Sequence, residues 1–199
     1  MRGRMICRKC DEQSAQIAID YIRRGKVVVL PTDTVYGFSG IVDGRHYSYH
    51  TDAKIRELKG RDEGKPFIQL ISSPEDLKKY TRDVVPDSLL AKWPGPLTII
   101  VHTFLKGEKG PFTTTAFRCP GDEWLRKVIA GCGAPIYSTS VNRSGEPVLD
   151  NIAQIKHEFK SVELIVDDGD KKGGIPSTIV KVEEDGSVSV VRQGAVKVS

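Results

Sequence analysis

The stretch KVVVLPTDTVYG, residues 26–37, decides how this chain is interpreted. Its first half is a run of branched apolar residues, which is typical of a buried strand. Pro31 ends that run, and a row of polar and aromatic side chains precedes a glycine: Thr32, Asp33, Thr34, Tyr36 and Gly37. A plain turn needs one or two such residues. The row therefore predicts ligand-binding groups at the carboxyl end of a strand, where α/β sheets hold their ligands.

The composition is that of a globular protein. The chain has 199 residues, of which 39% are hydrophobic and 28% are charged, enough for one domain with a real core. No stretch reaches the roughly 18 consecutive apolar residues of a membrane span. The N-terminus, MRGRMICRKCDEQ, is basic but lacks the apolar middle of a secretory signal. We therefore expect a cytoplasmic protein with no membrane contact.

The net charge of +4 is unevenly placed. The whole excess lies in residues 1–65, because residues 66–199 carry equal numbers of basic and acidic side chains. Much of it falls in KIRELKGRDEGK, residues 54–65. A local basic cluster indicates an anionic ligand, either a nucleotide or a nucleic acid. The alternative is a solvated helix face, which is the commoner role of such a run.

Four cysteines are present, and Cys7 and Cys10 have the C-x-x-C spacing of half a zinc site or of a redox pair. Cys119 and Cys132 are too far apart in the sequence to supply the other half. A redox pair would follow a strand at a helix start, whereas this one lies in a polar leader. We expect free thiols.

Hydrophobic periodicity and turn residues predict alternating helices and strands, then strands alone. The predicted helices cover residues 14–25, 51–60, 73–80, 86–93, 122–131 and 150–159. The predicted strands cover residues 26–30, 66–72, 97–104, 112–120, 134–140, 162–169, 176–186 and 187–194. The expected caps are Thr51 or Asp52, Ser73, and Asp150 or Asn151, and Asp185-Gly186 is the expected hairpin turn. This pattern indicates one α/β domain with a mixed sheet, residues 13–196, after a polar leader, residues 1–12.

No motif for covalent catalysis or for a structural metal is present. Instead, three polar sets lie at predicted strand ends: PTDTVYG (31–37), YSTSVNRSG (137–145) and GIPSTIV (174–180). Single cations lie in turns or at element ends around them: Lys59, Arg61, Lys65, Arg118 and Arg192. Cations, hydroxyls and glycine amides together match a triphosphate. Taken singly, each hydroxyl is more simply a cap or a turn bond.

The segment WPGP, residues 93–96, predicts a stiff corner before a strand. We interpret it as architectural, with Trp93 as a packed anchor and not a base-stacking platform.

Several segments together resemble the YrdC-like family, whose characterised members are threonylcarbamoyl-AMP synthases of the TsaC type. They occur in the family's order over about residues 13–196: LPTDTVYG, ELKGRDEGKPF, WPGPLTIIV, TTTAFRCP, STSVNRSGEP, PSTIV and VVRQGA. The family signature K-x-R followed by S-x-N appears here as Lys59, Arg61, Ser140 and Asn142. The resemblance implies a twisted mixed sheet with flanking helices (YrdC-like) and a positively charged concave face.

The resemblance also implies a reaction. L-Threonine, bicarbonate and ATP would give threonylcarbamoyl-adenylate and pyrophosphate. The product would supply the threonylcarbamoyl group that downstream machinery places on the tRNA adenosine next to the anticodon. Mg²⁺ is expected on the phosphates of ATP, with no metal ligand from the protein, and tRNA is expected to bind weakly.

Similarity assigns roles to individual residues. The expected ATP-binding residues are Lys59, Arg61, Lys65, Thr114, Ser140, Asn142 and Arg192. Of these, Lys59 and Arg61 would neutralise charge, and no residue would act covalently. The expected threonine-binding residues are Thr32, Thr34, Tyr36, Arg118, Ser138 and Thr178. The chain departs from the family at Leu70, where some members have a histidine, and at Val148, where serine is common.

Two alternative functions remain open at this point. The first is a YrdC-like protein that binds double-stranded RNA or tRNA without catalysis, through salt-sensitive phosphate contacts. Its weakness is an aromatic content of only 7% with no aromatic–basic interleaving. The second is carbamoyl-phosphate chemistry, as in larger maturation proteins whose acylphosphatase and zinc-finger modules this sequence does not show.

Overall fold

Ten strands form one mixed sheet in the computed structural model, which describes residues 4–44, 46–60, 66–103 and 113–198. The strands are β1 (Met5–Arg8), β2 (Val28–Leu30), β3 (Gly37–Ile41), β4 (Ile68–Leu70), β5 (Leu97–Thr103), β6 (Thr113–Arg118), β7 (Ile136–Ser140), β8 (Leu164–Asp167), β9 (Thr178–Val182) and β10 (Val188–Arg192). The helices are α1 (Ser14–Arg23), α2 (Thr51–Lys59), α3 (Asp87–Leu90), α4 (Glu123–Cys132) and α5 (Ile152–Glu158), and Pro74–Lys79 is a 3₁₀ helix.

The strand order across the sheet is β1-β8-β2-β3-β7-β4-β6-β5-β9-β10. Four neighbouring pairs are parallel, namely β1 with β8, β8 with β2, β4 with β6, and β5 with β9. The other five pairs are antiparallel. The predicted α/β architecture with a mixed sheet is confirmed, whereas the positive charge of a concave face stays a prediction.

Helices cover both faces of the sheet because the central strands are apolar on both sides. Val28 and Leu30 of β2 pack with α1 and α4 on one face, in a core that includes Ile22 and Leu125. Val29, the residue between them, packs on the opposite face with residues of α2 and α5. A third core joins the 3₁₀ helix and α3 to β5, β6 and β9.

Most predicted elements are confirmed within a few residues. The 3₁₀ helix has Ser73 as its N-cap, and the Ser73 backbone N–H donates to Asp76 Oδ2 at 3.1 Å. Asn151 caps α5 by accepting the backbone N–H groups of Ala153 and Gln154. Strands β9 and β10 form the expected antiparallel hairpin, and Gly186 in its turn has φ +81°.

Two strands were missed, and one of them lies in the predicted leader. β1 pairs in parallel with β8 at one edge of the sheet. Next to it, the Arg4 guanidinium donates to the carbonyls of Lys156, Phe159 and Val162 and so holds the end of α5. The boundary between leader and domain at residue 12 stays a prediction, but residues 5–8 are part of the sheet.

The second missed strand, β3, contains two glycines and reads as a loop in the sequence. All five of its residues are buried between β2 and β7. A Cβ on Gly40 would lie 2.9 Å from Thr51 Cβ, so the glycine lets α2 pack directly on the strand. The packing of α2 leaves no room at Gly40 for the bulky side chains that usually identify a strand in a sequence.

The predicted cap of α2 is wrong. Its N-cap is His50 with φ 51°, and neither Thr51 nor Asp52 caps the helix. Thr51 is instead fully buried and donates to the Ile41 carbonyl. The bend before the helix is held by Asp43, which accepts the backbone N–H groups of Tyr49 and His50.

Trp93 is a packed anchor, as predicted: it is buried, and its Nε1 donates to the Leu97 carbonyl at 2.6 Å. The four cysteines are free thiols. None of the helices within the described ranges is long and apolar enough to cross a membrane.

Candidate active site

A cavity of about 290 Å³ opens where β3 begins beside the end of β7, with Gly37 opposite Ser140. The structure thus brings together the three polar sets that the sequence singled out, at one end of the central strands. Six predicted site residues line this cavity: Thr32, Thr34, Arg118, Ser138, Ser140 and Arg192. Their ligand-binding roles remain predictions.

Thr32 shapes the turn after β2. Its hydroxyl donates to the Val35 carbonyl at 2.7 Å and accepts the backbone N–H groups of Thr34 and Val35 at 3.0 and 3.1 Å. It also lies 2.9 Å from the Thr34 hydroxyl. These bonds use the hydroxyl within the protein, so Thr32 orients Thr34 toward the cavity.

Arg118, at the end of β6, is 5% exposed and makes a forked set of bonds. Its Nε donates to the Gly95 carbonyl at 3.1 Å, its Nη1 to Thr34 Oγ1 at 3.1 Å, and its Nη2 to Asp33 Oδ1. A guanidinium has five N–H donors in a planar fork. The fixed plane and its remaining donors suit a carboxylate in the cavity.

Arg192, at the end of β10, lines the same cavity. Its Nη2 donates to the Ser177 carbonyl at 2.7 Å, and no carboxylate within the described ranges forms an ion pair with it. Burial, followed by repulsion from Arg118, lowers the pKa of Arg192 below its ordinary value. Within the described residues, two guanidiniums stand beside one carboxylate, Asp33, at this cavity, and such an excess of positive charge favours an anionic ligand.

Lys59, at the end of α2, is 3% exposed and does not line this cavity. Its ammonium donates to the Ser140 carbonyl at 2.6 Å, to the Asn142 carbonyl at 2.9 Å and to Asn142 Oδ1 at 2.8 Å. These three acceptors match the three N–H donors of an ammonium. The K-x-R lysine therefore joins the end of α2 to the end of β7.

The side chains of the S-x-N pair, Ser140 and Asn142, are also hydrogen-bonded within the protein. Ser140 Oγ donates to Asn142 Oδ1 at 2.6 Å, and Asn142 Nδ2 donates to the carbonyls of Arg143 and Glu146 at 2.9 and 2.7 Å. Asn142 thus shapes the loop after β7, while Ser140 also reaches the cavity wall.

Besides Lys59 and Asn142, three more of the described predicted site residues do not line the cavity. Tyr36 is fully buried on the other face of the sheet, where its hydroxyl donates to the Gly169 carbonyl and accepts the Asp168 N–H. The Thr178 hydroxyl donates to the Val196 carbonyl and accepts the Gly194 and Val196 N–H groups, which holds the C-terminal segment. Thr114 is exposed on β6, in register with His102.

The sequence singled out Asp33 without assigning its role, and it missed two contributors. Asp33 bridges Arg118 and the Gly121 N–H, which donates to Asp33 Oδ2 at 2.8 Å, so it orients an arginine. Gly95, in the corner assigned a purely architectural role, supplies a carbonyl to Arg118. Ser177 faces the cavity where Thr178 was expected. The adjacent polar residues in PTDT and PST were the available signal, but the turn after β2 and the start of β9 decide which side chains face the cavity.

Arg61 and Lys65, both predicted to hold ATP, lie outside the described residues. No cluster of three or more His, Cys, Asp or Glu side chains that could hold a metal ion occurs in the described part of the chain.

The fold and the cavity define an α/β protein with an arginine-lined pocket where β3 begins beside the end of β7. A family model named Sua5_yciO_yrdC, described as "Telomere recombination", matches residues 20–194. The chain belongs to this Sua5/YciO/YrdC family.

Relatives named threonylcarbamoyl-AMP synthase cover most of the chain. The one from Pyrococcus abyssi is 32% identical over 183 residues, 88% of this chain and 53% of the relative. The one from Homo sapiens is 27% identical over 195 residues, 92% of this chain and 67% of the relative. The chain therefore spans about half the length of the P. abyssi relative.

Two solved structures have a fold similar to that of this chain. A crystal structure of P. abyssi Sua5 complexed with L-threonine has a TM-score of 0.79 and 28% identity, covering 96% of this chain and 57% of that one. The crystal structure of E. coli YciO has a TM-score of 0.78 at 20% identity, covering 98% and 96%, which supports the fold alone.

Proposed function

We propose that this chain synthesises threonylcarbamoyl-AMP from L-threonine, bicarbonate and ATP, with release of pyrophosphate. The observation that carries the proposal is the cavity wall in which Arg118 is forked between Asp33 and Thr34 and faces a cavity that Arg192 also lines. The relatives named for this activity support it, as does the L-threonine complex of P. abyssi Sua5.

The amino-acid side of the cavity would be the Arg118 fork and its hydroxyl neighbours. The spare N–H donors of Arg118 would hold the threonine carboxylate. The hydroxyls of Thr34 and Ser138, both on the wall, would bind the polar groups of the amino acid. Thr32 would act through the turn, and Ser177 takes the place that the sequence gave to Thr178.

The proposed reaction needs no covalent protein intermediate. The threonine amine and bicarbonate condense to a carbamate and water. A carbamate oxygen attacks the α-phosphorus of ATP, and the bond to the β-phosphate oxygen breaks, so pyrophosphate leaves. The protein then has to align the reactants and stabilise the charge that develops on phosphate, which are the effects that fixed arginines supply.

The nucleotide side would use Arg192 on the cavity wall, with Ser140 beside it, and Arg61 and Lys65 from the K-x-R segment. Asn142 and Lys59 would shape this side, and Lys59 would have to exchange one of its three protein acceptors to reach a phosphate. Thr114 would contact the nucleotide only from the far end of β6. We expect Mg²⁺ to arrive on the ATP phosphates, which supply its oxygen ligands together with water.

The wider role is also a proposal. The product would pass to downstream transfer machinery for the tRNA adenosine next to the anticodon, in the cytoplasm, with tRNA binding weak at most. The names of the relatives favour the synthase over the non-catalytic RNA-binding alternative.

The test is pyrophosphate release from ATP by the purified chain, with threonine and bicarbonate omitted in turn. We expect release only when both are present, and a mass spectrum showing threonylcarbamoyl-AMP. Release that is independent of threonine would contradict the proposal. Absence of release, together with salt-sensitive RNA binding, would instead favour the non-catalytic alternative.

A further inference from the structure

Two loops flank the turn that carries Thr32, Asp33 and Thr34, and both end near the same N-terminal lysine. One loop, residues 119–122, precedes α4, and the other, residues 168–177, follows β8. The Lys9 ammonium lies 2.5 Å from Asp122 Oδ2 in the first loop and 3.2 Å from Asp168 Oδ2 in the second. Lys9 therefore joins two loops that are more than forty residues apart in the sequence.

The first loop leads directly to the Arg118 fork. Asp122 caps α4 by accepting the Leu125 N–H at 2.9 Å on its other oxygen. The preceding residue, Gly121, donates its N–H to Asp33, and a Cβ there would lie 3.0 Å from Asp33 Oδ2. Asp33 in turn accepts from Arg118. A shift of Asp122 would therefore be transmitted to the guanidinium through the Gly121 backbone and two consecutive hydrogen bonds.

The second loop leads to the Thr34 backbone. The Asp168 N–H donates to the Tyr36 hydroxyl at 2.8 Å, and the Gly169 carbonyl accepts from it. Further along, Gly174 packs so closely that a Cβ there would lie 2.4 Å from the Thr34 carbonyl oxygen. The loop then reaches the cavity at Ser177. Both sides of the cavity turn are thus fixed by loops that meet at Lys9.

We propose that Lys9 is a positioning residue for the amino-acid side of the cavity, which it controls by holding Asp122 and Asp168 in place. This assignment rests on the proposed function only in taking L-threonine as the ligand. Lys9 lies outside residues 20–194, the range that the family model matches. The N-terminal segment would therefore tune substrate affinity from outside the range that the family model matches.

The electrostatics of the contact support a persistent link. Burial disfavours the charged form of Lys9, but hydrogen bonds and attraction from Asp122 and Asp168 outweigh it and raise its pKa. Asp168 also pairs with Lys171 at 2.7 Å, so it retains one cation when Lys9 is replaced. Replacement of Lys9 therefore releases the 119–122 loop more than the 168–177 loop, which makes Asp122 the more informative partner.

The test measures L-threonine and ATP dissociation constants by calorimetry for Lys9→Met, Asp122→Asn and the double variant. Asparagine keeps the N-cap acceptor of α4 but removes the charge that pairs with Lys9. We expect each single variant to weaken threonine binding roughly tenfold, as for coupled members of one hydrogen-bonded network, and the double variant to be no weaker than either. ATP binding should stay unchanged, and Lys9→Arg should restore threonine binding.

The matched control is Lys26→Met, which breaks a lysine–carboxylate pair of 2.7 Å with Glu163 away from the cavity. It should leave both affinities unchanged. Unchanged threonine affinity in Lys9→Met would overturn the assignment, and so would an equal loss of threonine and ATP binding, which indicates general loosening of the fold. If Lys9→Met does not fold, Asp122→Asn decides alone.

Pyrophosphate release by the unaltered protein is assayed separately. If release fails while threonine binds, the synthase proposal fails, and these affinities still decide the role of Lys9.

Discussion

Two buried cations at this end of the sheet differ in what surrounds their donors. The Arg118 guanidinium bonds to Gly95, Thr34 and Asp33 and still lines the cavity with N–H groups to spare. The Lys59 ammonium faces three protein oxygens from Ser140 and Asn142, one for each of its donors. We call the Arg118 cluster open, because it has N–H donors left for a ligand. We call the Lys59 cluster closed, because its donors bond to oxygens of the protein.

This difference separates two uses of a polar strand end. An arginine held in a rigid fork can be fixed by the protein and still bind a carboxylate, because its donors outnumber its structural acceptors. An ammonium with three acceptors is a structural link between α2 and β7 until a ligand displaces one of them. We therefore expect substitutions at the two cations to differ in kind, one lowering affinity and the other lowering stability.

The largest effect is expected at Lys59. Lys59→Met removes the donor to three oxygens, two of them in buried hydrogen bonds and one in a part-buried hydrogen bond, so we expect the free energy of unfolding to fall by about 3 kcal/mol, measured by urea denaturation. Lys54→Met on the same helix is the matched control, because among the described residues Lys54 donates to a single carbonyl, that of Gly25, at 3.0 Å. It should cost under about 1 kcal/mol. Equal losses in the two variants would show that the Lys59 cluster is not closed.

The next effect tests the open cluster. Arg118→Lys keeps the charge but loses the planar fork, so we expect the KM for threonine in pyrophosphate release to rise about tenfold or more while that for ATP changes little. Arg4→Lys is the control: this fork binds three carbonyls at the end of α5, away from the cavity. It should lower the melting temperature and leave both KM values unchanged. A rise in the ATP KM equal to that for threonine would contradict the assignment of Arg118.

A smaller effect is expected from two glycines of β3 with matched crowding. A Cβ on Gly37 would lie 2.9 Å from Ser138 Oγ in the cavity, and one on Gly40 would lie 2.9 Å from Thr51 Cβ in the core. Overpacking of this kind costs about 1 to 2 kcal/mol. We expect Gly37→Ala to raise the threonine KM and Gly40→Ala to lower the stability. The cavity assignment fails if the two variants change the same quantity.

The same contrast explains what the sequence could predict. Apolar periodicity located most strands and helices, and PTDT, S-x-N and Arg118 indicated where the cavity lies. The sequence could not show which neighbour in PTDT or PST faces the cavity, because that depends on the hydrogen bonds of the turn after β2 and on where β9 begins in the sheet. Nor could it show that Lys59 is satisfied by β7, since that contact joins residues more than eighty positions apart.

The glycine-rich β3 and the N-terminal β1 were missed for a related reason. Both are strands because of what packs on them, and their own side chains give little strand signal. Thr51 and α2 require a small residue at Gly40, and β8 supplies the hydrogen-bonding edge for Met5–Arg8. Tertiary context decided both elements.

The smallest effect is expected at Tyr36, which stands in the cavity stretch but points away from the cavity. Burial raises its pKa to about 12 from an ordinary value of 10.0. The folded chain therefore holds the phenolic proton more tightly than the unfolded chain, so this stabilisation is complete below pH 10 and is lost as the pH rises toward 12. Tyr36→Phe should lose about 1 kcal/mol at neutral pH, through the Gly169 and Asp168 bonds, and should show a shallower decline in stability above pH 10. Because the ring belongs to the core, its threonine KM should stay close to that of the unaltered protein, and a large rise would return Tyr36 to the substrate wall.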